Sequence, residues 1–282
     1  MGVIMAVVGS LTIRRVQRHT LPDGRRPPPI EFTEYIQAEW KREEHRAYAG
    51  YRIGRSTRDI YRLAPRTALI RRYDLRKAFL VNFDDREYTA WPIQAFTDYE
   101  SWSRAAVARP RVQTEPTVLV ETETVDTGER RELFGHPARR VITTRRESPL
   151  AGSTWQPRET ITDGWYIDLD TRVSGEPPWW SSRSGHLFVM AYKEGEEPYV
   201  VPTFKDIGEP ERGYPLISRS TTGGSVDELE VTHLSTIAID PSLFDVPENF
   251  VLVEQIRQEP VPPLAVRVLQ VYYRLRFAFR RP

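Results

Sequence analysis

The chain has 282 residues, of which 39% are apolar and 28% charged, so a sizeable core is affordable and global disorder is excluded. Its 40 basic and 39 acidic residues leave a net charge of +1, which argues against the one-signed surface of a nucleic-acid binder. It has no Cys, which excludes disulfides, thiolate chemistry, zinc–cysteine sites and a lipidated Cys. Lys occurs only at 41, 77, 193 and 205, so 36 of the 40 basic residues are Arg. Their even spread among Glu and Asp fits a coding bias toward Arg better than a dedicated guanidinium surface.

Residues 1–13 are uncharged and are followed by Arg14, Arg15 and Arg18. As a helix they would reach about 20 Å, short of the roughly 30 Å hydrocarbon core of a bilayer. They lack a basic n-region and a small-x-small cleavage site, and read as a degraded signal or anchor segment, with a frayed apolar end as the alternative. Residues 14–29, rich in Arg and Pro, read as a linker, which makes 1–29 an N-terminal appendage and 30–259 the folded domain. Residues 31–40 read as a first strand, and the charged residues 41–46 as a turn of helix or an excursion.

The clearest signal lies at 67–92, where TALIRRYD, LRKAFLVNF and DDREYTAWP follow one another with almost no connecting chain. Strand-length apolar runs joined at Asp74, Asp84 and Asp85 are the pattern of an antiparallel meander, which residues 58–63 would begin. Residues 97–108 fit one helix, with Thr97 or Asp98 capping it and Tyr99, Trp102 and Ala106 at helical spacing.

A second β series follows. Strands are expected at 117–127 and 138–144, then at 158–169 with a turn or bulge at Asp163–Gly164, and at 186–192. The Pro- and Gly-rich stretch 195–213 reads as a long loop. Residues 214–221 and 229–239 form a hairpin closed by Gly223 and Gly224, and 240–244 a single helical turn. The tail from Leu264 to Pro282 puts apolar residues on one face and Arg267, Arg274 and Arg281 opposite when read as a helix; as a strand, Val271, Tyr273, Leu275 and Phe277 alternate with Arg. Length and Pro263 favour a C-terminal amphipathic helix, suited to a membrane surface or to the domain's own face.

Chemistry leaves little trace. The five His are far apart in sequence, and nucleophile-elbow, phosphate-loop and dinucleotide glycine motifs are absent. Asp163 and Asp168 bracket Trp165 and Tyr166, but positions five apart fall on opposite faces of a regular strand, which defeats a paired-carboxylate site. No catalytic residue, metal or cofactor is therefore expected.

Residues 229–253, LEVTHLSTIAIDPSLFDVPENFVLV, resemble the closing segment of uncharacterised bacterial exported domains related to the lipoprotein-carrier fold, where an Asp-Pro-x-Leu-Phe-x-x-Pro turn follows a strand. The meander at 67–92, the hairpin at 125–144 and GYPLISRS at 213–220 are similar to other scaffold segments of that group. The resemblance implies a mainly β (α+β) fold: a strongly curved antiparallel sheet forming an unclosed barrel, with a covering helix. It implies a bacterial envelope or periplasmic location and a lipid or acyl ligand held between sheet and helix. A monomer is expected.

The resulting expectation is a non-catalytic protein binding a lipid or other apolar ligand. Its lining would include Ile70, Phe79, Val81, Tyr88 and Trp91 of the meander, with Trp102 on the covering helix. A protein- or membrane-interaction module without a small ligand is the alternative, and a hydrolase built on scattered Asp, Glu and His a more distant one.

Overall fold

The computed structural model describes residues 9–52, 59–93, 116–151, 153, 155–173 and 202–258. Thirteen strands there form one sheet, in the order β12-β9-β10-β11-β13-β14-β1-β2-β3-β6-β7-β8-β15. They are β1 (Ser10–Thr20), β2 (Ile30–Gln37), β3 (Trp40–Arg46), β6 (Thr67–Arg72), β7 (Lys77–Asn82), β8 (Glu87–Pro92), β9 (Val118–Leu133), β10 (His136–Pro149), β11 (Arg158–Ile167), β12 (Pro202–Ile207), β13 (Tyr214–Thr222), β14 (Ser225–Ser235) and β15 (Val251–Leu252). Two further strands, β4 (Tyr48–Arg52) and β5 (Asp59–Leu63), pair only with each other. The sheet is not closed, because its outer strands β12 and β15 each have a single neighbour. It is mixed rather than antiparallel throughout: both outer pairs, β12 with β9 and β15 with β8, are parallel.

The meander is built as its sequence suggests. YDLR and FDDR make matching four-residue turns, each ending on an Arg in the left-handed region, Arg76 at φ 51° and Arg86 at φ 56°. The tight turn Phe134–Gly135, with φ 52° and 75°, closes the long β9–β10 hairpin. That hairpin takes in most of residues 128–137, between the strands expected at 117–127 and 138–144.

Several expectations need correction. The linker expected at 14–29 is, through Thr20, part of β1, which pairs with β14 and β2 near the middle of the sheet. The excursion expected at 41–46 is strand β3, because its charges find partners across neighbouring strands: Lys41 on Glu34 and Glu43 on Arg71. The long loop at 195–213 contains β12, and β5 belongs to the separate hairpin rather than to the meander. Asp163 and Gly164 sit inside β11, with the irregularity displaced to Trp165/Tyr166. Among the described residues the longest helical element is the 3₁₀ turn Pro241–Phe244, so the covering helix has no support there. The helix expected at 97–108, with Trp102, the strand at 186–192 and the tail 264–282 lie outside the described residues.

The register fixes two faces. One carries Leu11, Ile36, Lys41, Arg71, Ala78 and Trp91 on a single rung running from β1 to β8. The other carries Tyr35, Arg42, Ile70, Phe79 and Ala90 on the rung beside it. On the Leu11 face, Leu11, Ile13, Ile36, Tyr214, Leu216 and Val231 pack with Ile167, Ala138, Tyr73 and Val173 into the larger core. On the Ile70 face, Ile70 and Val81 pack against Ile239 and Phe244.

The second core depends on residues 236–252. This segment leaves β14 in the middle of the sheet, crosses β3 and β6 as the 3₁₀ turn, and pairs with β8 at the edge. We call it the strap. Asp240 caps the turn by accepting from the Ser242 N–H at 2.9 Å, and Pro241 opens it. Arg42 donates to the Leu243 carbonyl at 2.5 Å, Arg72 to Asp245 at 2.5 Å, and Phe244 lies 5.5 Å from the Trp40 ring. Buried Asn82 pins the chain beyond the strap: its Nδ2 donates to the Arg257 carbonyl at 2.8 Å, while its Oδ1 accepts from the Asp84 and Asp85 N–H groups at 3.0 Å.

Candidate functional site: the Leu11 face and its ion network

Of the six residues expected to line a ligand site, Ile70, Phe79, Val81 and Tyr88 share the Ile70 face and pack against the strap. Their apolar contacts are made by Phe244, Leu243, Val246 and Phe250 of the same chain. Trp91 is on the opposite face, since it lies three positions from Tyr88 and an odd spacing reverses the side of a strand. Trp102 is outside the described residues.

The Leu11 face changes character across the sheet. Over β1 and β2 its residues are nearly inaccessible, Leu11, Ile13 and Ile36 each at 1% exposure. Over β2, β3 and β6 it becomes ionic. Glu34 accepts from Lys41 Nζ at 2.9 Å and lies 3.7 Å from the Arg15 guanidinium; Glu43 accepts from Arg71 at 2.5 Å. Arg15 also donates to the Tyr214 hydroxyl at 3.1 Å and lies 5.0 Å over the Phe32 ring. Three cations and two anions therefore meet here, with Glu34 and Lys41 largely buried. Removing charges from water is costly unless each is paired; here each charge has an opposite partner, while Arg15 Nε is buried without a hydrogen bond among the described residues.

Glu43 shows the balance. Burial pushes its carboxyl up, but the charge and hydrogen bond of Arg71, with Lys41 and Arg15 nearby, outweigh this and hold it below the usual glutamate range. Beyond the network, over β6, β7 and β8, the face turns apolar again, with half-buried Leu69 and Leu80 and with Trp91 exposed at 42%. This arrangement can hold an ion-paired head beside apolar surface. On the same face the Thr67 hydroxyl lies 3.4 Å from His45 Nε2, longer than the contact of a poised nucleophile with its base.

The carboxylates singled out by sequence are used structurally. Arg140 binds Asp163 through two bonds of 2.6 and 2.9 Å, and Arg139 binds Asp168 at 2.6 Å. The bond to Arg140 lowers the Asp163 pKa, the opposite of what a general acid requires. Among the described residues no three His, Asp or Glu converge as metal ligands would. Sequence reasoning missed the ion network because Glu34, Lys41 and Arg71 are seven and thirty residues apart, and only strand pairing assembles them. The available signal was the run Lys41-Arg42-Glu43-Glu44, which in a strand sets Lys41 beside Glu43 on one face and Arg42 beside Glu44 on the other.

No protein-family model and no curated protein matches the chain. Among solved structures, one described as "Structure of PNGF-II in P21 space group" aligns with 10% identity and a TM-score of 0.32. That alignment covers 88% of this chain and 32% of the other, so this chain spans about a third of that structure's length. A likeness of that size carries no argument about fold or activity.

Proposed function

We propose that the chain is a non-catalytic bacterial envelope module that binds a lipid or other amphipathic apolar ligand. In this reading the sheet bends into an unclosed trough, and the ligand lies on the Leu11 face over β6, β7 and β8. The observation that carries it is the asymmetry of the two faces. The chain fills the Ile70 face with its own strap, while Leu69, Leu80 and Trp91 on the other face are only partly covered. An apolar surface with a few polar groups at one end is the usual form of such a site. Here the polar end is Glu43 and Arg71.

The test is titration with a dansyl-labelled long-chain fatty acid. Saturable uptake is expected, weakened at least fivefold by Leu80→Glu and by Trp91→Ala and unchanged by Ile237→Ala, a control at 78% exposure. Absence of uptake by the folded wild type, or uptake indifferent to both substitutions, overturns the proposal.

A further inference from the structure

A cleft of about 300 Å³ opens at one end of the sheet, between the β4–β5 hairpin and the β7–β8 turn. Its lining is Arg46, Leu63, Ala64, Arg66, Phe83 and Asp84. Both arginines are exposed. Elsewhere Arg42, Arg71, Arg72, Arg139, Arg140 and Arg146 all sit on carboxylates. Neither Arg46 nor Arg66 is in an ion pair with any described residue.

Arg66 is held in another way. Its guanidinium lies 4.4 Å from the centroid of the Phe83 ring, whose orientation is fixed by an edge contact with Phe250 at 5.7 Å and by Arg42 at 5.1 Å. The backbone N–H of Phe83 donates to the Arg66 carbonyl at 2.9 Å, which ties the ring to the residue that stacks on it. A guanidinium held over an aromatic ring still has N–H donors that the ring does not use, which can bind an oxyanion. The one acid of the lining, Asp84, accepts from the Arg66 backbone N–H at 3.3 Å.

We infer that this cleft binds an oxyanion, a phosphate or a carboxylate, between Arg46 and Arg66. The volume suits a compact anionic group with a few attached atoms and is at the small end for a whole ligand. The site is separate from the apolar patch around Trp91 and does not depend on it.

The experiment is isothermal titration of the full chain with inorganic phosphate at low salt, followed by sedimentation with vesicles of phosphatidylcholine containing one-third phosphatidylglycerol. Saturable phosphate binding is expected, at least fivefold weaker in Arg46→Ala and Arg66→Ala and unaffected in Arg158→Ala. Circular dichroism and thermal melting should match the wild type, because both side chains are exposed. Phosphate binding with Arg66-dependent sedimentation supports the site and gives its source as a lipid headgroup; phosphate binding without sedimentation supports it and gives a free anion. No phosphate binding by the folded wild type, or binding indifferent to both substitutions, overturns it.

Discussion

Phe244→Ala is the substitution that most directly tests how the sheet is held. Phe244 is fully buried, beside Trp40 and in one cluster with Ile70, Val81 and Ile239. Replacing a buried Phe by Ala costs about 3–5 kcal/mol, the larger values arising where the surroundings cannot close over the gap. Collapse is restricted here. The turn is capped by Asp240 and tied to the sheet on both sides of Phe244, by Arg42 on the Leu243 carbonyl and Arg72 on Asp245. The upper half of that range is therefore expected. Urea unfolding followed by tryptophan fluorescence reads it: with a slope of about 3 kcal/mol/M, the midpoint should fall by roughly 1.3–1.7 M. Phe244→Leu, which keeps most of the volume, should lose less than half as much. A shift under about 0.3 M for Phe244→Ala would mean that the strap rests on the Ile70 face without holding it, and the account of the second core would fail.

Three other outcomes are expected. Gly208→Ala should lower the melting temperature clearly more than Gly24→Ala: both glycines have positive φ, 82° and 81°, but only at Gly208 would a Cβ meet a backbone atom, the Thr124 carbonyl oxygen at 2.4 Å. Equal losses would count against the close packing of β12 on β9. Asn82→Ala should cost about 2–3 kcal/mol in chemical denaturation, because it removes a fully buried side chain that accepts from the Asp84 and Asp85 N–H groups and donates to the Arg257 carbonyl. Asn82→Asp keeps the acceptor but loses the donor and sets a charge beside Asp85, so its loss should shrink on acidification. For Glu43 the folded carboxyl titrates below its ordinary value of about 4.3, so its contribution is complete above that pH and is lost as pH falls through the folded value. The stability gap between wild type and Glu43→Gln should thus be constant from pH 7 to about 5 and shrink only once pH falls below the ordinary glutamate value; a gap that widens in acid refutes the pairing with Arg71.

Much of the scaffold could be read from local order. Alternation with Asp-bearing joints gave the β6–β7–β8 meander, Gly223 and Gly224 gave the β13–β14 hairpin, and Asp240-Pro241 gave the 3₁₀ turn. Those signals are local because a turn and its flanking strands are set by a few adjacent residues. The failures share a cause. Residues 14–20 looked like a linker and 41–46 like an excursion because composition alone makes Arg- and Glu-rich chain appear unfit for a sheet interior. They are strands because the charges on the Leu11 face meet partners contributed by other strands, Arg15 and Lys41 on Glu34 and Glu43 on Arg71. Tyr88 and Trp91 were assigned to one lining although strand geometry separates them, an error visible in the spacing alone.

The candidate sites were less legible still. Sequence marked Ile70, Phe79, Val81 and Tyr88 as sharing an apolar side, and that grouping follows from period-two patterning. Which face the strap would cover could not be read, because the strap arrives from residues 236–252, more than 140 positions further along the chain. The ion network of Glu34, Lys41, Glu43 and Arg71 and the cleft beside Phe83 likewise exist only once distant strands are paired. Sequence thus determined the β character and the local turns, whose energetics involve neighbouring residues. Tertiary structure decided which charges neutralise one another and which apolar surface remains exposed, because burial and pairing depend on what the rest of the chain brings into contact.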